Sequence, residues 1–317
     1  MNARIIATAT LFTAFAGALT ASAADSQLLS MVMPDAKVIA GVNVDSAKAS
    51  PFGLYVLTEM QSNNTVMQQL IALTGFDPTR DVNELLAATN STAGGKTPIG
   101  LALARGNFDP ARITALATSK GAVTEVSGGV TIIEDPQKVA GIAFINPSLV
   151  IAGDVASVKA AIARPSSGQS LPGAVIAQVN QWSGAEDAWI VTTVPPSSLA
   201  PSTAPTTGTP VVGILQQIQQ AAGGVKFGNS VVGTAAIQAD NATDATQLAN
   251  TLQFLVNMAQ MQSQNNPQAA SLAQALAVTT QGTTVNITLT LPEAQFQQLI
   301  QQQKKAASAV PHAGVKK

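Results

Sequence analysis

Two stretches of the chain share one pattern: Phe76-Asp77-Pro78-Thr79-Arg80 and Phe108-Asp109-Pro110-Ala111-Arg112. A repeated aspartate could bring two carboxylates together as a general acid and a general base. The same residue types also start helices. Asp accepts hydrogen bonds from unpaired backbone N–H groups, Pro at the first helical position loses no bond, and a preceding Phe staples onto the first turn. Cap chemistry accounts for the pattern, so two capped starts are favoured over a paired active site.

Other reactive constellations fail on context. Gly95-Lys96-Thr97 matches the end of a phosphate-binding loop, but Asn90 stands where that loop needs its first glycine. Pro98 and a strand then follow where a helix N-terminus should face the phosphates. Histidine occurs once, at His312, which leaves no Ser-His-Asp triad and no multi-histidine metal site. Glu134-Asp135 is one acidic pair against the roughly 6–8 oxygens that calcium takes, and reads as a solvated turn. Trp182 and Trp189 could line a carbohydrate or peptide cleft, although such residues more often bridge a helix to a strand in the core. With Pro195 and Pro210, which bound a Pro/Ser/Thr-rich loop, they form the candidate ligand or partner surface. No residue is assigned a catalytic, cofactor-binding or metal-binding role, and no cofactor is expected.

Composition narrows the classes further. The 317 residues are 46% hydrophobic and only 10% charged, which supports a sizeable core. Cysteine is absent, so disulfides, thiolate metal sites and cysteine nucleophiles are excluded. Residues 24–303 carry 17 acidic against 11 basic residues, and Lys226 is the one basic residue between Pro165 and Gln303. That balance argues against a nucleic-acid partner. Arg4, the apolar run Ile5–Thr20 and Ala21-Ser22-Ala23 read as a signal peptide cleaved after Ala23. No later segment is long and apolar enough to span a membrane, so the expected location is periplasmic or secreted.

The elements that would position these residues alternate between strands and helices. Strands are expected at Lys37–Val44, within LLAATN and PIGLALAR, in hairpins VTEVSGGVTIIED and GIAFINPSLVIAGD, and in DAWIVTTV, SVVGTAAIQA and TTVNITLTL. Helices are expected after Ser50-Pro51, over NNTVMQQLIALTGF with Val66, Leu70 and Leu73 on one face, after Asp109-Pro110 and Asp154, over Gly173–Gln181, over VVGILQQIQQAA, from Asn241 to about Gln262, and over ASLAQALA. The fold class is α+β, with mostly antiparallel sheets covered by helices. The division is a signal peptide (1–23), an N-terminal half (24–164), a connector (165–172), a Gln-rich C-terminal half (173–303) and a basic tail (304–317). The halves echo one another in element order, as a diverged internal duplication would.

The runs MPDAKVIAGVNVDSAKASPFGLYVL, GFDPTRDV and INPSLVIAGDVASVKAAI resemble a group of uncharacterised secreted bacterial proteins of acidobacterial type. The resemblance covers about the first half of the mature chain. It implies export and an α+β fold, and carries over no site residue.

These readings point to an exported, non-enzymatic protein that binds an extracytoplasmic protein partner through a surface or a groove between its halves. A carrier of an apolar ligand or lipid is the alternative, and a carboxylate-dependent hydrolase the next. An apolar cavity of roughly 300 Å³ or more would favour the carrier, and converging carboxylates the enzyme.

Overall fold

A computed structural model of the chain describes residues 23–62, 65–91, 100–199, 218–261 and 267–298. Twelve strands form one antiparallel sheet in the order β11-β12-β10-β9-β8-β1-β2-β3-β7-β6-β5-β4. The N-terminal half contributes β1 (Val38–Asn43), β2 (Val82–Thr89), β3 (Gly100–Gly106), β4 (Val123–Ser127), β5 (Val130–Glu134), β6 (Ala140–Asn146) and β7 (Leu149–Asp154). The C-terminal half contributes β8 (Ala188–Thr192), β9 (Ile218–Lys226), β10 (Ser230–Ala239), β11 (Leu276–Gln281) and β12 (Thr284–Pro292). They meet where β1 pairs with β8, Val38 opposite Thr192 and Val42 opposite Ala188.

The same topology is built twice. In the first half a strand leads to a hairpin (β2–β3), a helix (α6, Pro110–Ser119), a hairpin whose second strand returns to β3 (β6–β7), and a closing helix (α7, Val155–Ser167). In the second half β8 leads to β9–β10, then α9 (Ala242–Met261) and α10 (Pro267–Ala275), then β11–β12 with β12 returning to β10, and helical residues from 293. Among the described residues, hairpin β4–β5 has no counterpart in the second half. This α+β fold matches the sequence expectation, and the order of elements recurs, although strand β9 stands where the end of a helix was expected in the second half.

Side-chain alternation assigns the two faces. On one face Ile39, Leu86, Leu103, Ile132 and Ile151 pack under α1 (Ser26–Ser30), α7 and α8 (Gly173–Ala185), and Trp189 and Val191 extend this core across the junction. On the opposite face of the second half, Val285, Ile287, Ile237 and Val278 pack against Ala245 and Leu248 of α9. Each Leu or Ile buried in this way contributes about 1.5–3 kcal/mol relative to exposure. The larger helical cover therefore lies on one face of the first half and the other face of the second, while on the first half's other face Val42, Ala104, Phe144 and Val150 pack with Val44, Leu57 and Phe108. The second half is left with a polar row on its α8 side: Gln220, Thr234, Gln238, Thr284, Asn286 and Thr288.

Several local expectations are corrected. Ile218–Ala222, expected to close a helix, is the start of strand β9. A register shift between Gln238 and Ala239 puts a bulge at this point. It carries Ile218 and the nearby Ala221 to the same apolar cluster, and that three-residue spacing imitates a helix. Leu276 and Ala277, expected to be helical, open β11. Leu73, expected on the buried face of its helix (α4, Thr65–Thr74), is 52% exposed. Pro165 does not start the connector: α7 runs through it to Ser167 and ends at Gly168, whose φ of 69° lies in the left-handed region.

Candidate functional site

The two Phe-Asp-Pro-x-Arg motifs lie side by side, with the Phe76 and Phe108 rings 5.4 Å apart. Asp77 Oδ1 accepts from the Thr79 N–H at 3.0 Å and caps the short α5 (Pro78–Asp81); Asp109 Oδ1 accepts from the Arg112 N–H at 3.0 Å and caps α6. The arginines secure the same turn: Arg80 donates to Gly75 O at 2.8 Å and Arg112 to Leu73 O at 3.3 Å. Arg80 also grips Asp81, and its hydrogen bond holds that carboxyl below its ordinary range. Each motif is a helix start, and together they hold α4, α5 and α6 on the face of the first half opposite α7, where Phe76 and Phe108 pack with Ala104, Phe144 and Val150.

Glu134 corrects another expectation, because it is buried at the end of β5 instead of lying in a solvated turn. Among the described residues neither of its oxygens has a hydrogen-bond partner, and Lys138 and Lys159 approach only to 3.7 and 3.9 Å. Lys159 instead makes a 2.7 Å pair with Glu125. Asp135 does form the turn, accepting from the Val139 and Ala140 N–H groups. Among the described residues, no three His, Cys, Asp or Glu side chains gather as a metal-binding group. The Gly95-Lys96-Thr97 loop, Pro210 and His312 lie outside the described residues. The strand that follows the loop, β3, occupies the place where a phosphate loop needs a helix.

The tryptophans separate in role. Trp189 on β8 is core, 6% exposed, with its indole lying directly over Gly41. Trp182 on α8 is half-buried; it packs on the same core and also lines a cleft. Pro195 is half-buried just before the 3₁₀ turn Pro196–Leu199 and does not line that cleft. The cleft encloses about 270 Å³ between α8 and the polar face of the second half. Gln178, Gln181 and Trp182 form one wall; Gln220, Gln238, Gln281, Thr284 and Asn286 form the other. Gln238 donates to Thr283 Oγ1 at 3.0 Å. The side chains of Gln178, Gln181, Gln220, Gln281 and Asn286 make no hydrogen bond to any described residue. Of the cleft residues, sequence reasoning singled out only Trp182. The signal it lacked was register: Gln220, Gln238 and Asn286 share one sheet face only after strands β9, β10 and β12 are paired.

A second recess of about 520 Å³ lies on the opposite face of the sheet, over the first half; it exceeds the volume set for a carrier but is a wide-open depression, not an enclosed cavity. Its floor is small and apolar, with Val38, Ala40, Ala87, Ala102 and Ala152 drawn from four adjacent strands.

Neither a family model nor a curated protein matches the chain. Among solved structures, crystal form III of TP0453 superposes with a TM-score of 0.54 at 10% identity, covering 86% of this chain and 96% of that one. Crystal form I of TP0453 superposes with a TM-score of 0.50 at 11% identity, covering 86% and 95%. The likeness is one of fold.

Proposed function

We propose that this chain is an exported, non-enzymatic protein that binds an extracytoplasmic partner protein through the cleft between α8 and the C-terminal half of the sheet. The observation that carries the reading is the set of five side-chain amides facing this cleft without partners in the described protein. Gln178, Gln220 and Asn286 are half-buried and Gln181 and Gln281 exposed, and a partner that displaces their water must match these donors and acceptors to bind. Export rests on the signal-like N-terminus, and intact mass should show a mature chain beginning at Ala24. The test of the site is capture from an extracytoplasmic fraction with wild type and with the double variant Gln178→Ala/Asn286→Ala. Loss of one specific partner at unchanged melting temperature supports the proposal; undiminished capture overturns it.

A carrier of an apolar ligand is the second reading, favoured by the apolar recess over Ala40, Ala87 and Ala102. Titration with a fluorescent fatty acid separates the two. Saturable binding that Ala102→Glu abolishes would move the function to that face.

A further inference from the structure

We propose that the amide-lined cleft is a saccharide site, taking a neutral, hydroxyl-rich mono- or disaccharide unit that is either free or carried as a glycan on the partner. The inference rests on the cleft being the binding site and names the chemistry recognised there. None of the eleven residues lining the cleft is charged. An ionic ligand would have to leave water without a countercharge, which is costly. An apolar ligand would leave the amides unpaired at similar expense.

Hydroxyl groups fit this lining. Each hydroxyl donates once and accepts twice, and each carboxamide offers donors and an acceptor side by side. Gln178, Gln220 and Asn286 are half-buried and face one another from helix and sheet, so a ring held between them can be satisfied on both edges. The Trp182 indole adds an apolar surface with a polar N–H for the C–H face of a sugar ring. The volume, about 270 Å³, lies at the small end of ligand pockets.

A peptide is the less suitable occupant. Extended peptides are commonly held by main-chain pairing along an exposed strand edge. Under the cleft, β9, β10 and β12 are each flanked by a strand on both sides, and the end strand β11 contributes only Gln281, its last residue, so the floor offers mainly side chains.

The test titrates the full chain with maltotriose, cellotriose and chitotriose, followed by calorimetry and tryptophan fluorescence. A trigalacturonate and an uncharged Ser/Thr/Gln peptide serve as comparators. Trp189 is buried, so a fluorescence change absent from Trp182→Phe reports the cleft. The expected result is saturable binding of at least one neutral saccharide, with Kd between about 1 mM and 1 μM. Gln220→Ala and Asn286→Ala should each weaken it about tenfold, with melting temperatures unchanged because neither side chain bonds to the described protein. No binding of any neutral saccharide, or binding indifferent to both substitutions, overturns the proposal. Peptide binding alone, lost in Asn286→Ala, also overturns it while leaving the partner-binding function standing. If a saccharide binds, glycosidase treatment of the extracytoplasmic fraction separates the sources: lost capture marks a glycan on the partner, and unchanged capture marks a free saccharide.

Discussion

At the scale of single residues, the chain places its acids where they hold backbone together. Asp109 satisfies the start of α6 through the Arg112 N–H, so Asp109→Ala should lower stability by about 1 kcal/mol. Urea denaturation checks this, and partner capture by the folded variant should be unchanged. Glu84 behaves differently. Its carboxylate accepts from the Asp25 N–H at 3.1 Å, and burial pushes its pKa above the ordinary value, opposed by that hydrogen bond and by Arg105. The folded state therefore holds the Glu84 proton more tightly than the unfolded chain does. Its contribution falls as pH rises from about 4.3, the ordinary glutamate value, through the raised folded value. Glu84→Gln keeps the acceptor and removes the titration, so it should gain stability relative to wild type above that window and not below it. Urea midpoints measured across mildly acidic pH test this; a difference between the two proteins that does not vary with pH would contradict it. The caps at Asp77, Asp109 and Asp154 were legible in the sequence because capping is local chemistry. Burial of Glu134 was not legible, because it depends on partners distant in sequence: β6 pairs with it at Gly141, and α7 brings Lys159 to 3.9 Å.

At the scale of elements, local patterns succeeded where one face of one segment decides the outcome. Hairpin β4–β5 followed from its Gly128-Gly129 turn, and both glycines have positive φ. β9 failed that test: its bulge spaces apolar residues as a helix would, and pairing with β8 and β10 decides the conformation instead. Gly41 on β1 shows how tightly neighbouring strands dictate residue choice. A Cβ there would lie 2.5 Å from Trp189 Cζ2. Gly41→Ala should therefore cost about 1–3 kcal/mol through overpacking. Chemical denaturation would show it, and a neutral result would mean that the indole is free to move aside.

At the scale of the whole molecule, the repeated element order predicted from sequence becomes one sheet, because β1 and β8 pair at the junction. Trp189, Val191 and Ala222 share a core with Ile39, Leu86 and Ile151, so the main core is built from both halves, beside the second half's own cluster under α9. Far-UV circular dichroism and tryptophan fluorescence should report one coincident thermal transition. Two resolved transitions would show that the halves are independent domains. The cleft belongs to this scale, since it needs α8 together with strands far apart in the chain. Sequence supplied Trp182 as one component, and the fold supplied the rest.

The central claim, that the cleft is where this protein binds, is tested most directly by photocrosslinking from a benzoylphenylalanine at chosen positions. Gln281 stands on the cleft wall, whereas Phe254 on α9 is 61% exposed and does not line the cleft. In the extracytoplasmic fraction, a probe at position 281 should give one discrete adduct that disappears in the Gln178→Ala/Asn286→Ala background, and a probe at position 254 should give none. The same adduct from position 254, or an adduct from 281 that survives the double substitution, would contradict the account.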